Sequence, residues 1–285
     1  MTQYSIEELI EIGRNKLLKS GNQTSRSDTI SIIGKVLKKT NLDLIINNEE
    51  KVKESQCIEI FNKIKQRYIG KPISKIFGKK EFYSREFFVN TSVLDPRPES
   101  ELLVEVIKKK IIQFPKIDIL ELGVGSGCLI ISLILELEKI KINGVGVDLC
   151  EKAIKVAKKN ISNFGLNKKI KIYRSNWFSN VKEKFNIIIS NPPYIKRMEI
   201  KKLSNDVKNF DPYLSLDGGN SGVESYKKIA KKAKDYLKPD AIIVLELGYD
   251  QLESVDNIFK ENGFKRILLE KDLQGINRVV VYSIN

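Results

Sequence analysis

The sequence from residue 117 onward alternates between short apolar segments and amphipathic segments of helical period. Apolar segments of strand length cover 117–122, 142–148, 170–174, 185–190, 241–247, 264–269 and 278–283, and helical patterns cover 128–139, 151–164, 225–237 and 251–262. Apolar strands that alternate with helices predict a parallel sheet buried on both faces. The last two strands leave no room for a helix between them, so we expect them to pair antiparallel. We therefore predict an α/β fold, a doubly wound seven-stranded sheet with one reversed strand.

The first 78 residues lack this alternation and have the periodicity of short helices. Ser5 and Glu8 have the spacing of a capping box before an apolar stripe, and further helical patterns cover 29–39, 42–46 and 53–68. Residues 79–95 alternate instead, with aromatic side chains around Tyr83, which predicts a β-hairpin. We divide the chain into a helical domain over 1–78, a hairpin linker over 79–96 and an α/β domain over 97–285.

Composition excludes several classes of protein. Of 285 residues, 41% are hydrophobic, which suffices for a sizeable core, and no apolar run approaches the roughly 20 residues of a membrane helix. The chain contains no histidine, which excludes Ser-His and Cys-His hydrolases and His-ligated metals, and we expect no metal site. The three cysteines, Cys57, Cys128 and Cys150, are widely spaced and favour a reducing, cytoplasmic setting.

The net charge of +14 has two explanations. A polyanionic partner such as a nucleic acid would favour a basic chain. A genome biased toward AT would also enrich Lys, Ile and Asn on any solvated face, without a partner. Composition alone leaves both explanations open.

A glycine-rich segment, GVGSG, follows the first predicted strand of the α/β region. Gly123, Gly125 and Gly127 stand between that strand and a helix, with Val124 and Ser126 between them. Doubly wound sheets bind ligands at this edge. Glycine lets the backbone approach a ligand closely, and the helix amino terminus adds partial positive charge. The segment therefore predicts a ligand-binding loop.

Acidic residues near the loop narrow the class of ligand. Asp148 closes the next strand about 25 residues later, where a carboxylate can accept both ribose hydroxyls of a nucleoside. The loop lacks the third glycine of the dinucleotide fingerprint, and Glu121 just before it would repel phosphates but attract an ammonium group. An adenosine with an amino acid end fits these constraints, so we predict S-adenosylmethionine as the cofactor.

The fourth predicted strand runs into Asn191-Pro192-Pro193-Tyr194. Two consecutive prolines end the strand and hold the chain rigid beyond it. The Asn191 side-chain oxygen and the Pro192 carbonyl are acceptors suited to a substrate NH2 group, and the Tyr194 ring offers an aromatic face to a planar amide or base. We expect this turn beside the glycine loop, across the switch point of the sheet. The combination is typical of methyltransferases that act on amino groups.

Nearly the whole chain resembles the HemK/PrmC family, the protein-glutamine N5-methyltransferases that modify peptide chain release factors. Residues 92–101, SVLDPRPESE, resemble the PRPETE segment of that family, with Ser100 in place of Thr. This segment is the more specific evidence, because DNA adenine methyltransferases share NPPY and because sister enzymes that modify a large-subunit ribosomal protein differ there. Further similarities are LDGG at 216–219 with Gly222 and Tyr226, ELG at 246–248 with Gln251, and KDL at 271–273 with Gly275 and Arg278.

The resemblance implies a class I, Rossmann-like methyltransferase sheet and a small amino-terminal helical domain joined to it by a β-hairpin. The implied substrate is the glutamine of the Gly-Gly-Gln loop of release factors, and we expect a cytoplasmic monomer that takes no nucleic acid as substrate.

The resemblance also implies roles for individual residues. Trp177 would lie along the adenine, and Asn176 stands where the family usually has Asp, although its amide oxygen can still accept from the adenine amino group. The implied catalytic residues are Asn191, Pro192 and Tyr194. The implied substrate-binding residues are Asn191, Pro192, Pro193, Tyr194, Arg97 and Glu99. The implied cofactor-binding residues are Glu121, Gly123, Val124, Gly125, Ser126, Gly127, Asp148, Asn176, Trp177 and Asn191.

Two alternatives stay open at this point. Arg97, Glu99 and Glu101 could form a wall of the substrate groove or a set of interdomain salt bridges. The chain could also methylate the exocyclic amino group of adenine or guanine in a nucleic acid, which fits NPPY and the positive charge. That function does not explain PRPESE, and the amino-terminal part has no clear helix-turn-helix or aromatic stacking platform. A non-enzymatic adenosine-binding module would leave Asn191 without a role.

Overall fold

The computed structural model describes residues 3–110, 116–138 and 140–284. They fall into two compact units, of which the first ends at Gly78 and the second begins at Lys79. No helix in these three ranges is both long enough and apolar enough to cross a membrane.

The first unit is a bundle of short helices. Its apolar faces share one core, in which Ile6, Ile32 and Ile60 are fully buried. The predicted capping box is confirmed: the Glu8 N–H donates to Ser5 Oγ at 3.2 Å, and the Ser5 N–H donates to Glu8 Oε2 at 2.6 Å. The helices are α1 (Ile6–Leu18), α2 (Ser25–Leu37), α3 (Asn41–Ile46), α4 (Glu54–Tyr68) and α5 (Ile73–Phe77).

Two features of this unit differ from the prediction. Helix α2 begins at Ser25 rather than at residue 29. The prediction missed its first turn, SRSD, because these residues are polar and show no apolar period. Helix α5 was not predicted, since a five-residue helix is too short to show a period.

The second unit opens with the predicted hairpin, β1 (Lys79–Phe82) and β2 (Arg85–Phe88). Tyr83 and Ser84 both have positive φ, 51° and 56°, as a tight two-residue hairpin turn requires. Phe82 and Phe87 are buried in the core of the second unit. The hairpin therefore packs as part of this unit, and its strands end at Phe88, before the end of the predicted linker at residue 96.

The rest of the second unit is the predicted doubly wound sheet. Its helices are α6 (Glu101–Lys110), α7 (Cys128–Glu136), α8 (Glu151–Asn163), α9 (Asn205–Phe210), α10 (Tyr213–Leu216), α11 (Glu224–Ala233) and α12 (Leu252–Glu261). Its strands are β3 (Lys116–Leu122), β4 (Lys141–Asp148), β5 (Ile170–Arg174), β6 (Phe185–Ser190), β7 (Leu237–Glu246), β8 (Phe264–Lys271) and β9 (Asn277–Ile284).

The order of strands in the sheet is β5-β4-β3-β6-β7-β9-β8. Strand β9 runs antiparallel to both of its neighbours, so the prediction of one reversed strand is confirmed. Both faces of the sheet are buried, since Ile117 and Ile119 of β3 belong to one apolar core while Leu120 and Leu122 belong to the other.

Several boundaries in this unit differ from the sequence pattern. The helix predicted over 225–237 ends at Ala233, and β7 begins at Leu237 instead of 241. Pro239 and Asp240 lie where the pairing of β6 with β7 shifts register, and Asp240 has φ of 57°. Helix α7 ends at Glu136, whereas its predicted end at 139 lies outside the described residues.

The capping box gives the first prediction. Ser5→Ala removes the acceptor for the Glu8 N–H, so it should lower the free energy of unfolding by about 1 kcal/mol. Urea unfolding followed by circular dichroism measures this change, and hydrogen exchange should speed up in the first turn of α1. Ser31→Ala, in the middle of α2, is the matched control and should be neutral or slightly stabilising. Equal effects of both substitutions would contradict the role of the cap.

Candidate active site

The carboxyl edge of the sheet carries a cavity of about 340 Å³. It lies at the switch point of the sheet. Strands β4 and β5 lie on one side of β3, and β6, the next strand along the chain, lies on the other side. Glu121, Asp148 and Asn191, at the ends of β3, β4 and β6, all line the cavity. The predicted switch-point site is therefore present, and side chains from three strands meet there.

The glycine loop forms the floor between β3 and α7. The N–H groups of Gly123 and Val124 both donate to the Val147 carbonyl, at 2.9 and 3.0 Å, which holds the loop against β4. Gly123 has φ of 74°, and a Cβ atom there would meet nothing within 4 Å, so the backbone borders open space. The predicted loop residues Gly123, Val124, Gly125 and Ser126 line the cavity, whereas Gly127 precedes α7 and packs near Ala157.

Two carboxylates stand beside this loop, Glu121, which is buried, and Asp148, which is half-buried. The Gly125 and Cys150 N–H groups donate to the two oxygens of Asp148, at 3.0 and 2.8 Å. The Ile130 N–H donates to Glu121 Oε2 at 3.1 Å, and Glu121 is 2% exposed. Burial raises the pKa of both carboxyl groups, and the negative charge of Asp148 raises the pKa of Glu121 further. A cation in the cavity would relieve this electrostatic cost.

The segment after β5 completes this side of the cavity. Ser175, Asn176 and Trp177 all line it, and the Ser175 N–H donates to the Asp148 carbonyl at 3.0 Å. The Ser175 hydroxyl donates to the Trp177 carbonyl at 2.7 Å, in a tight turn where Trp177 has φ of 54°. Trp177 is half-buried and lines the same cavity as Asp148.

The NPPY turn lies next to the glycine loop because of the strand register. Ser190 pairs with Leu122, and the Ser190 hydroxyl donates to the Leu122 carbonyl at 2.7 Å. Asn191 and Pro193 line the cavity, whereas the lining does not include Pro192, which is buried, or Tyr194, which is half-buried.

The turn is held by two glycine-containing segments that the sequence analysis noted without assigning a role. Gln251 Nε2 donates to the Tyr194 carbonyl at 2.9 Å and to the Gly222 carbonyl at 3.1 Å. A Cβ atom on Gly218 would lie 2.7 Å from Tyr194 Cα, so only glycine allows this approach. The LDGG and ELG segments therefore fix the backbone of the turn.

A hydrogen-bond chain connects the Asn191 side chain to the interior. Asn191 Nδ2 donates to Ser100 Oγ at 3.0 Å, and the Ser100 hydroxyl donates to Glu246 Oε2 at 2.5 Å. The Tyr194 hydroxyl donates to Glu246 Oε1 at 3.3 Å. Glu246 is 1% exposed, and its burial raises its pKa to about 7. Ser100 and Glu246 were not among the predicted site residues, although both lie in segments that carried the family resemblance.

The predicted groove-wall residues have different positions. Arg97 lines the cavity and forms an ion pair with Asp211, Nη2 to Oδ2 at 2.8 Å, within the second unit. The Tyr83 N–H donates to Glu101 Oε1 at 2.7 Å, which ties the hairpin to the start of α6. Glu99 is half-buried and is not among the residues that line the cavity.

Comparison with known proteins identifies the family of the chain. Residues 8–78 match the PrmC N-terminal domain, and residues 91–208 match the methyltransferase small domain. The release factor glutamine methyltransferase of Agrobacterium fabrum is 32% identical over 94% of this chain and 94% of its own length. The chain belongs to the release factor glutamine methyltransferase family. A second family member, from Clostridium acetobutylicum, is 33% identical over 93% of both chains.

Longer relatives of the family also match. The bifunctional methyltransferase of Rickettsia felis is 38% identical over 99% of this chain, but the match spans only 58% of that protein. Solved structures support the fold of the second unit. The ribosomal protein L11 methylase of Lactobacillus delbrueckii has a TM-score of 0.51 at 17% identity, covering 67% of this chain and 82% of its own. The hMettl16 catalytic domain in complex with the MAT2A 3'UTR hairpin 6 has a TM-score of 0.56 at 13% identity, covering 83% and 85%.

The buried carboxyl of Glu246 gives a second prediction. Its pKa rises from an ordinary 4.5 to about 7 on folding, so the folded state binds the proton more tightly than the unfolded chain. Stability that is present below pH 4.5 is therefore lost as the pH rises through 7. Across this window the wild type should lose on the order of 3 kcal/mol more unfolding free energy than Glu246→Gln, in which Glu121 and Asp148 still titrate.

Urea unfolding at a series of pH values measures this difference. Glu253→Gln, on the exposed face of α12, is the matched control and should follow the wild type. Parallel pH curves for the wild type and Glu246→Gln would show that the carboxyl titrates normally in the folded protein.

Proposed function

We propose that this chain transfers a methyl group from S-adenosylmethionine to the side-chain amide nitrogen, N5, of the glutamine in the Gly-Gly-Gln loop of peptide chain release factors. One observation carries the proposal: Asn191 lines the same cavity as Glu121 and Asp148, and its carboxamide is held by Ser100. The names of the Agrobacterium and Clostridium relatives support the choice of substrate.

The residues present fit the proposed cofactor. The Asp148 carboxylate, held by two backbone N–H groups, would accept the ribose hydroxyls, and Trp177 would cover the adenine. The Glu121 carboxylate would meet the ammonium group, and the open space beside Gly123 would admit the amino acid end. When bound, S-adenosylmethionine supplies a methyl group on a positively charged sulfur, which is an excellent leaving group.

The NPPY turn would hold the substrate amide. A glutamine amide nitrogen is a poor nucleophile, because its lone pair is delocalised into the carbonyl. Asn191 Oδ1 and the Pro192 carbonyl would accept the two N–H groups and turn the lone pair of the nitrogen toward the cavity. Such positioning can contribute roughly 7–11 kcal/mol to a displacement. The excess proton would leave to water, so a chain without histidine needs no general base.

The remaining predicted roles belong to the same proposal. Tyr194 and Pro193 would line the approach of the glutamine, and Arg97, with Glu99 nearby, would form a wall of the substrate groove. The helical domain over 1–78 would recognise the release factor, with the hairpin over 79–96 leading into the catalytic domain over 97–285. The protein would act in translation termination, in the cytoplasm and as a monomer.

A methylation assay tests this function. Radiolabelled S-adenosylmethionine is offered with a release factor, with its Gln→Ala variant in the Gly-Gly-Gln loop, and with DNA and RNA. We expect label on the unaltered factor alone. The alternative, an exocyclic-amino methyltransferase acting on adenine N6 or guanine N2, fits the NPPY turn equally well and is favoured by the net charge of +14. Label on nucleic acid but not on the factor would select that alternative.

Asn191→Ala tests the role of the turn. The substitution removes the acceptor for the substrate N–H group but leaves the glycine loop and Asp148 in place. We expect kcat to fall by roughly 10²- to 10³-fold, the usual cost of losing one positioned hydrogen-bonding group in an active site, with little change in the Kd of S-adenosylmethionine. Asn220→Ala, at an exposed loop position, is the control and should leave both constants unchanged. Equal losses in kcat and cofactor affinity would mean that Asn191 only shapes the cavity.

A further inference from the structure

The carboxamide of Asn191 can be placed in its cavity in two ways. Its two ends have nearly the same shape, but Oδ1 accepts a hydrogen bond and Nδ2 donates one. A substrate NH2 group can be held only by Oδ1, and the reversed carboxamide would place N–H against N–H. The protein therefore needs an interaction that selects one orientation.

Ser100 provides such an interaction, because a hydroxyl has a single proton. That proton is given to Glu246 Oε2, 2.5 Å away, so the Ser100 oxygen can only accept from its other neighbour. The neighbour is Asn191 Nδ2 at 3.0 Å. Oδ1 is then the end of the carboxamide that Ser100 does not engage.

The surroundings keep this arrangement intact. Ser100 is 4% exposed and Glu246 is 1% exposed, so bulk water does not compete for the serine proton. The Tyr194 hydroxyl donates to the second oxygen of Glu246, which leaves Oε2 for Ser100.

Other charged and titratable groups face Glu246 from the neighbouring elements. Arg278 of β9 contributes a positive charge, but its guanidinium donates to Asp272 Oδ2 and to the Leu247 carbonyl. Glu99, in the turn before α6, contributes a negative charge. The Tyr226 hydroxyl of α11 donates to the Glu246 backbone carbonyl at 2.8 Å.

We propose that Ser100 and Glu246 are positioning residues that fix the orientation of the Asn191 carboxamide, so that Oδ1 faces the substrate amide. The inference deepens the proposed function and rests on it for its catalytic readout. The ionised form of Glu246 is the one that fixes this orientation, because a carboxylate can only accept hydrogen bonds and therefore accepts the proton of the Ser100 hydroxyl. A protonated Glu246 donates to Ser100 instead, which frees the serine proton to donate to Asn191 and favours the reversed carboxamide.

This relay, the hydrogen-bond chain from Glu246 through Ser100 to Asn191, should give the pH profile of kcat an acidic limb, that is, a decrease at low pH. Since burial raises the pKa of Glu246 to about 7, kcat should fall as the pH is lowered through neutrality. A residue with a merely structural role would not produce this dependence.

Four variants test the relay at saturating S-adenosylmethionine and release factor, with kcat measured from pH 5.5 to 8.5. Ser100→Ala should lower kcat at pH 8 about tenfold, the size of one lost hydrogen bond, and should flatten the acidic limb. Ser100→Thr keeps the hydroxyl and should retain both kcat and the limb. Glu246→Gln cannot ionise and should lose the limb with a lower kcat at pH 8. Ser162→Ala, on the exposed face of α8, should match the wild type.

A second readout does not depend on activity. The side-chain NH2 signal of Asn191 in an ¹⁵N-resolved NMR spectrum should shift with pH in the wild type, with a midpoint near 7, and should not shift in Ser100→Ala or Glu246→Gln. Circular dichroism shows whether each variant folds. If Ser100→Ala does not fold, Ser100→Thr and Glu246→Gln carry the test.

The outcomes separate the two proposals. A wild type that methylates no release factor but shows the Asn191 shift would overturn the proposed function and leave the relay standing. A wild type that is active, with Ser100→Ala and Glu246→Gln that keep its kcat, its acidic limb and its NMR shift, would overturn the relay.

Discussion

The register between β3 and β6 is the constraint on which the site depends. Leu122 pairs with Ser190, and the Ser190 hydroxyl donates to the Leu122 carbonyl. Because parallel strands end at the same edge, this pairing places Gly123 and Asn191 next to each other, although 68 positions separate their strands. A slip of one residue would turn every side chain of β6 to the opposite face and remove Asn191 from the cavity.

The same edge concentrates acidic groups that are costly to bury. Glu121, Asp148 and Glu246 lie at or next to the last residue of β3, β4 and β7, and burial raises the pKa of each. Backbone N–H groups partly satisfy Glu121 and Asp148, whereas the Ser100 and Tyr194 hydroxyls satisfy Glu246. The first two face a cavity suited to a cation, and the third supports the side chain that would bind substrate. The carboxylates whose burial costs stability are thus the ones that face the cavity or support its Asn191 side chain.

Much of the fold followed from the sequence because the buried strands have unbroken apolar runs. The limits of β5 and β6 were predicted without error, and the antiparallel pairing of the last two strands was confirmed. Helix α6 was not predicted, although Leu103, Val104 and Ile107 have helical spacing. The start of β7 was wrong because a strand can accommodate Pro239 at a bulge, which local propensity does not reveal.

The site could likewise be predicted only where it consists of contiguous segments. The glycine loop and NPPY are contiguous segments, and their positions at strand ends could be predicted from the order of elements. The contact of Ser100 with Glu246 joins residues 146 positions apart, and no local pattern specifies it. Likewise, Gln251 reaches the Tyr194 carbonyl only because α12 begins beside the turn. Contacts of this kind depend on the completed tertiary structure.

These long-range contacts have a consequence for synthesis on the ribosome. Glu121, Asp148 and Trp177, which line the cavity, are all translated by residue 177, and the NPPY turn follows by Tyr194. The partners that hold the turn emerge later: Gly218 before β7, Glu246 as the last residue of β7, and Gln251 after it. A nascent chain would therefore complete the strands that carry Glu121 and Asp148 before it contained the partners of the NPPY turn, and the full cavity would form late, when β7 docks beside β6.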